Sequence, residues 1–218
     1  MTTIAVMAKE PRPGRCKTRL CPPATPAEAA LLAEAALADT LAAVSATTVD
    51  RRVLVLDGRP GPWLPPGFTV IPQGAGGLDA RLAVALTDVG GARAGEPTLV
   101  IGMDTPQVTA SLLDTALHRL EDPDVDAVLG PAADGGWWAL GLRRPDPAAT
   151  LGVPMSTPYT GAAQRRRLEA LGLRVADLVE LRDVDVMEDA RAVAAQVPGS
   201  RFARTLAHLA PTTAGMSR

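Results

Sequence analysis

Residues 3–20 read T-I-A-V-M-A-K-E-P-R-P-G-R-C-K-T-R-L, an apolar run that breaks at Lys9 into a basic loop shaped by proline and glycine. The run suits a buried strand, and Pro11, Pro13 and Gly14 prevent its continuation. Just downstream, Thr25-Pro26-Ala27-Glu28 has the form of a capping box with proline at the first helical position. Leu37, Leu41 and Val44 recur at helical spacing, which predicts a helix over 26–45. The alternation continues outward. Strands are predicted at 52–57, 68–71, 98–102, 125–129 and 137–142. Helices are predicted at 78–89, after the Thr109 cap, and at 159–171, 187–196 and 201–209. Strands alternating with helices give an α/β class: a three-layer α/β/α sandwich around a mixed, mostly parallel sheet. No repeat or linker divides the sequence, so 1–210 is expected to form one domain and 211–218 a disordered tail.

Composition excludes several functions. At 218 residues the chain is long enough for one full core, and 22 basic against 24 acidic residues give a net charge of −2. That balance argues against a dedicated nucleic-acid binder or a polybasic membrane binder. The opening apolar run is too short for a signal peptide, and no stretch approaches the roughly 20 apolar residues of a membrane span. A cytoplasmic location is the expectation. Cys16 and Cys21 form no C-x-x-C pair, and His118 and His208 are the only histidines, so zinc or Cys–His chemistry has no support. Carboxylates, cations, backbone amides and hydroxyls must do the work. Of the 22 basic residues only Lys9 and Lys17 are lysine, and both lie in the first loop. A lysine is a movable point charge and an arginine a planar fork, so this confinement hints at a need for ammonium groups there.

In an α/β sheet, ligands bind beyond the carboxyl ends of the strands. Four loops carry unusual chemistry. The first sets Lys9, Arg12, Arg15, Lys17 and Arg19 against Glu10 alone, which suits the phosphates of a nucleotide and equally describes a solvated basic face. Neither a P-loop nor G-x-G-x-x-G spacing is present. In the second, Gly102-Met103-Asp104-Thr105-Pro106, Asp104 can hold a hard divalent cation or simply begin a turn. The third, residues 130–138, reads G-P-A-A-D-G-G-W-W. Asp134 there can bind hydroxyls or act as a base, and the paired tryptophans divide between core and site if the segment is a strand. A hairpin turn at Asp134-Gly135 is the competing reading. The fourth, Asp183-Val184-Asp185-Val186-Met187-Glu188-Asp189, can complete a metal site or cap a helix through Asp185 and Glu188.

Together and in this order, residues 8–20, 102–106, 130–142, 156–157 and 183–189 resemble the nucleotide-diphospho-sugar transferase superfamily with the GT-A fold. Within it the chain is similar to the bacterial radical-SAM/selenodomain-associated transferase type 1 group, often labelled glycosyltransferases, and in outline to guanylyltransferases of cofactor pathways. The resemblance implies Asp104 and Asp185 as ligands of Mg²⁺ or Mn²⁺. It implies Arg12, Arg15 and Lys17 in the phosphate-binding loop, and Lys9, Gly14, Gln73 and Arg81 are expected to join them around the nucleotide. Lys17 and Asp134 are the expected catalytic groups, and the chemistry of the third loop puts Asp134, Gly135, Gly136 and Trp137 at the acceptor. Two departures stand out: Gly76-Gly77-Leu78-Asp79 replaces the group's usual Gly-Asp-Leu-Gly, and Val186 replaces a threonine. The implied reaction is sugar transfer from a nucleotide-sugar to a small acceptor. The alternatives are nucleotidyl transfer from a nucleoside triphosphate, with pyrophosphate released, and nucleotide binding without catalysis.

Overall fold

A computed structural model describes residues 1–91 and 95–209; the expected tail at 211–218 lies outside the described residues. Strand β1 (Thr3–Lys9) is buried from end to end except at Lys9, as its apolar sequence requires. Helix α1 (Pro26–Ala46) begins on the expected capping box: Thr25 Oγ1 accepts from the Glu28 amide, and Glu28 Oε2 accepts from the Thr25 amide at 2.6 Å. Then follow β2 (Arg51–Asp57), β3 (Phe68–Pro72), α2 (Leu78–Gly91), β4 (Thr98–Ile101), α3 (Ala110–Arg119), β5 (Ala127–Pro131) and β6 (Trp137–Leu142). Helix α4 (Thr160–Ala170), β7 (Val175–Asp177), α5 (Met187–Gln196) and α6 (Arg201–Leu209) complete the described chain. Three-residue β7 has no counterpart among the strands predicted from sequence.

The seven strands form one sheet in the order β3-β2-β1-β4-β6-β5-β7. Pairing is parallel except where β6 runs antiparallel between β4 and β5. Helices α1 and α3 cover one face of the sheet, through Leu37, Leu41, Leu113 and Leu117. On the other face α2 and α4 contribute Leu82, Leu86 and Leu168. A third cluster joins the outer side of α1 to α5 and α6 through Leu32, Ala36, Val193 and Phe202. Helix α1 is therefore apolar on both sides because both sides are covered. This corrects the reading that no segment approaches membrane-spanning length: α1, at 21 residues and a mean hydropathy of 1.5, does so, but it is mostly buried inside the protein.

The β5–β7 edge is fastened by charge. Arg174 donates to Asp126 Oδ2 at 2.8 Å, to Asp124 Oδ1 at 2.8 Å and to the Pro123 carbonyl. Its side-chain hydrogen bond, the largest cause, holds the Asp126 carboxyl down at about 2. A depressed carboxyl contributes stability above its unfolded value of 3.8 and loses it as the pH falls through about 2. Solvent screens this exposed pair, so its contribution is small. Asp126→Asn should lower Tm by about 2–4 °C at pH 7, with the difference vanishing near pH 2. An equal gap at both pH values in thermal melts would show that the charge is irrelevant.

Candidate active site

The strand order reverses between β1 and β4, and a cleft of about 760 Å³ opens beyond their carboxyl ends. Because β6 is antiparallel, its first residues lie beside the end of β4, with Ile101 opposite Ala139. That pairing brings the 132–136 loop to the same edge as Asp104. The last acidic loop joins them through the Val184 amide, which donates to the Asp104 carbonyl at 2.9 Å. Three loops separated by up to 80 residues thus meet by topology, and all line the cleft.

The basic loop enters from β1. Lys17, in a left-handed conformation with φ of 49°, begins a single 3-10 turn at Thr18–Leu20. Its Nζ lies 2.5 Å from Asp104 Oδ1 and also donates to the Val184 carbonyl. Arg19 pairs with Asp185, and Arg12 with Glu10 at 2.7 Å. The expectation of five cations without partners is therefore corrected for three of them. Lys9 and Arg15 line both the main cleft and a smaller pocket between the ends of β1 and β2, whereas Arg12 lines only the smaller one. Gly14 lines neither; at φ of 73° it shapes the loop. Cys16 is buried in the cleft wall with its thiol donated to the Arg12 carbonyl, and burial raises its pKa; both cysteines are free thiols.

Gln73, just after β3, and Arg81, in α2, also line the cleft. The Gln73 amide nitrogen donates to the carbonyls of Ala8, at 2.8 Å, and Val55, at 3.2 Å, stapling the ends of β1 and β2. Its oxygen accepts from Arg81 Nη1 at 3.0 Å, and Arg81 Nε is buried without a partner. Of the departing segment, Leu78 lines the cleft while Asp79 turns away to accept from the Gly152 amide at 3.1 Å.

The β5–β6 connection is a hairpin loop as well as a cleft wall. The Gly135 amide donates to the Ala132 carbonyl, and Gly135 itself has φ of 87°, so the turn centres on Ala133-Asp134 with glycine as the left-handed bulge. The competing reading of a hairpin turn at Asp134-Gly135 is thereby corrected by one residue. Gly135 does not line the cleft; a Cβ there would sit 2.1 Å from the Pro158 carbonyl oxygen. Asp134 Oδ1 accepts from the Gly136 amide at 2.8 Å, which orients the carboxylate toward the cleft. The tryptophans divide as expected. Trp138 is buried beneath α1 and α3 and donates to the Val179 carbonyl at 2.9 Å, while Trp137 lines the cleft with Nε1 buried and unpartnered.

Asp183 is the residue that sequence reasoning undervalued. Burial pushes its carboxyl up to about 7, with the charges of Asp104 and Asp134 adding and Lys17 opposing. Its Oδ1 is buried without a hydrogen-bond partner. The helix cap expected from Asp185 and Glu188 is made instead by Asp189, whose Oδ2 accepts from the Val186 amide at 3.0 Å. Asp185 is left facing the cleft. Thr105, Met155, Ser156 and Thr157 also line the cleft; Ser156, at φ of 57°, and its neighbours carry no charge or periodicity that marks them, apart from the Ser-Thr match itself.

The donors offered by the 104 and 183–185 loops are all oxygen, and one is an unsatisfied buried carboxylate oxygen. Such a set fits a hard divalent cation. Among the described residues no group of three or more His, Cys, Asp or Glu is set to hold a metal alone. Two carboxylates with water and phosphate oxygens would be the Mg²⁺ pattern.

A family model described as an uncharacterized protein conserved in bacteria (DUF2064) matches residues 28–157. No curated protein matches the chain at a significant level. Among solved structures, a candidate nucleotide-diphospho-sugar transferase from Desulfovibrio desulfuricans G20 superposes with a TM-score of 0.83 at 24% identity, covering 94% of this chain and 92% of that one. A nucleotidyl transferase from Methanothermobacter gives 0.56 at 18% identity, over 94% and 99% of the two chains. CMP:2-keto-3-deoxy-manno-octonic acid synthetase in complex with CTP gives 0.56 at 14% identity, over 89% and 98%. These likenesses establish the fold, which is the mixed, mostly parallel α/β sandwich expected from sequence.

Proposed function

We propose that this chain, which belongs to the DUF2064 family of bacterial proteins, is a cytoplasmic transferase that moves a sugar from a nucleoside-diphosphate donor to a small acceptor. One observation carries the reading: cations and carboxylates line one cleft at the switch point, with the Asp134 hairpin on the same edge. Arg12, Lys17 and Arg19 already have carboxylate partners, so Lys9, Arg15 and Arg81 are the charges most available to a donor. Asp104 and Asp185 would hold a divalent cation, which supplies charge neutralisation at the donor's diphosphate and leaving group. Asp134 accepts the acceptor hydroxyl's proton as the new C–O bond forms at the anomeric carbon and the bond to the diphosphate breaks. Trp137 offers the acceptor an apolar face in the cleft wall.

Nucleotidyl transfer is the second reading, favoured by the likeness in fold to a synthetase that binds CTP. A thermal-shift screen of nucleotide-sugars and nucleoside triphosphates with Mg²⁺ or Mn²⁺, followed by product identification, separates the readings. Release of a nucleoside diphosphate supports sugar transfer, and release of pyrophosphate supports nucleotidyl transfer. Tight binding without product would leave a non-catalytic nucleotide binder.

A further inference from the structure

Both carboxylates placed at the cation site carry an internal cation, and both cations come from one loop. Lys17 Nζ lies 2.5 Å from Asp104 Oδ1 and donates to the Val184 carbonyl; Arg19, two residues on, pairs with Asp185. The Lys17 side chain is only 10% exposed, and its backbone adopts a left-handed φ that non-glycine residues seldom take. A buried ammonium held this way cannot lose its counter-charge cheaply.

We infer that Lys17 and Arg19 are internal counter-ions of the cation site, surrendered only by exchange. The inference rests on Asp104 and Asp185 being the cation ligands. A divalent cation arriving alone at Asp104 strips Lys17 of its partner and leaves a buried positive charge opposed. A diphosphate arriving alone at Lys17 meets Asp104, Asp134, Asp183 and Asp185, which line the same cleft. When both arrive, the carboxylates pass to the divalent cation and the ammonium and guanidinium pass to the phosphates, so local neutrality is kept. Cation and diphosphate therefore bind interdependently, and by linkage each raises the affinity of the other by the same factor. A fixed strut tying the 104 loop to the 183–185 loop would use the same contacts but would not produce this exchange.

Lys17→Met keeps an unbranched side chain, one heavy atom shorter, and removes the charge. Binding of Mn²⁺ alone, of pyrophosphate alone in EDTA, and of preformed Mn²⁺–pyrophosphate should be measured by electron paramagnetic resonance and calorimetry. The wild type is expected to bind the complex at least tenfold more tightly than either component. Lys17→Met should bind Mn²⁺ alone at least tenfold more tightly than the wild type and the complex less tightly, two shifts of opposite sign. Arg19→Met, at an exposed side chain, should give a smaller shift in the same direction and decides the matter if Lys17→Met does not fold. Unchanged or weaker binding of Mn²⁺ alone by the folded variants, with the wild type still binding the complex, overturns the exchange and leaves the cation site standing. No Mn²⁺ binding by any protein, with or without pyrophosphate, overturns both.

Discussion

Asp104→Asn is expected to lower metal-dependent nucleotide affinity at least tenfold, about 1.4 kcal/mol, while leaving the fold intact. Asparagine is the informative replacement because it keeps an oxygen for Lys17 Nζ at the 2.5 Å contact and removes only the charge. The site then loses a hard anionic ligand without losing the tie between loops. Lys17, 10% exposed, keeps an amide oxygen and the Val184 carbonyl as acceptors but loses its counter-charge, so a lower Tm is expected and affinities are compared where both proteins are folded. The contrast to measure is a nucleotide titration in Mg²⁺ against one in EDTA, for wild type and variant. In EDTA that loss should disappear, and the variant should bind at least as tightly as wild type, since no divalent cation is there to be held and Lys17 is no longer tied to a carboxylate. A wild type whose affinity ignores EDTA, or a variant that retains the full Mg²⁺ effect, would remove Asp104 from the cation site.

The elements that position this site were legible wherever local sequence determines them. The capping box at Thr25 and Glu28, the Thr109 cap and the apolar run of β1 each rest on residues within a few positions of one another. The split of Trp137 and Trp138 to opposite faces follows from the period of a strand alone. What failed depends on distance along the chain. Lys17 meets Asp104, and Arg19 meets Asp185, across intervals of 87 and 166 residues, so a loop that counts as five free cations has far fewer. Helix α1 reads as long and apolar because α5 and α6, at the far end of the sequence, cover its outer face. Residues 155–157 enter the cleft because the segment that follows them packs on the hairpin tip, where the Gly161 amide donates to the Gly135 carbonyl at 2.8 Å. No composition or periodicity encodes that contact. The acidic run at 183–189 was visible, but its division of labour was not: Asp189 caps α5, Asp183 is buried and Asp185 faces the cleft.

Asp134 carries the largest expected effect on turnover. The hairpin reading and the catalytic reading were set against each other in the sequence, and the geometry joins them: Oδ1 holds the Gly136 amide while the carboxylate lines the cleft. Asp134→Ala removes both functions, whereas Asp134→Asn keeps an oxygen for the Gly136 amide and loses only the basicity. If Asp134 takes the acceptor's proton, both variants should lose about 10²–10⁴-fold in kcat with donor affinity nearly unchanged. If it only binds an acceptor hydroxyl, the loss is that of one charged hydrogen bond, about 1.5–3 kcal/mol, and should fall mainly on the acceptor KM, with Asp134→Asn retaining part of the contact. If it serves the turn alone, Asp134→Asn should behave as the wild type, and Asp134→Ala should lose Tm without a specific change in acceptor kinetics. Melting curves and acceptor kinetics of the two variants side by side therefore assign the carboxylate. A wild-type rate in Asp134→Asn would rule out the base role, because an asparagine amide cannot accept the proton.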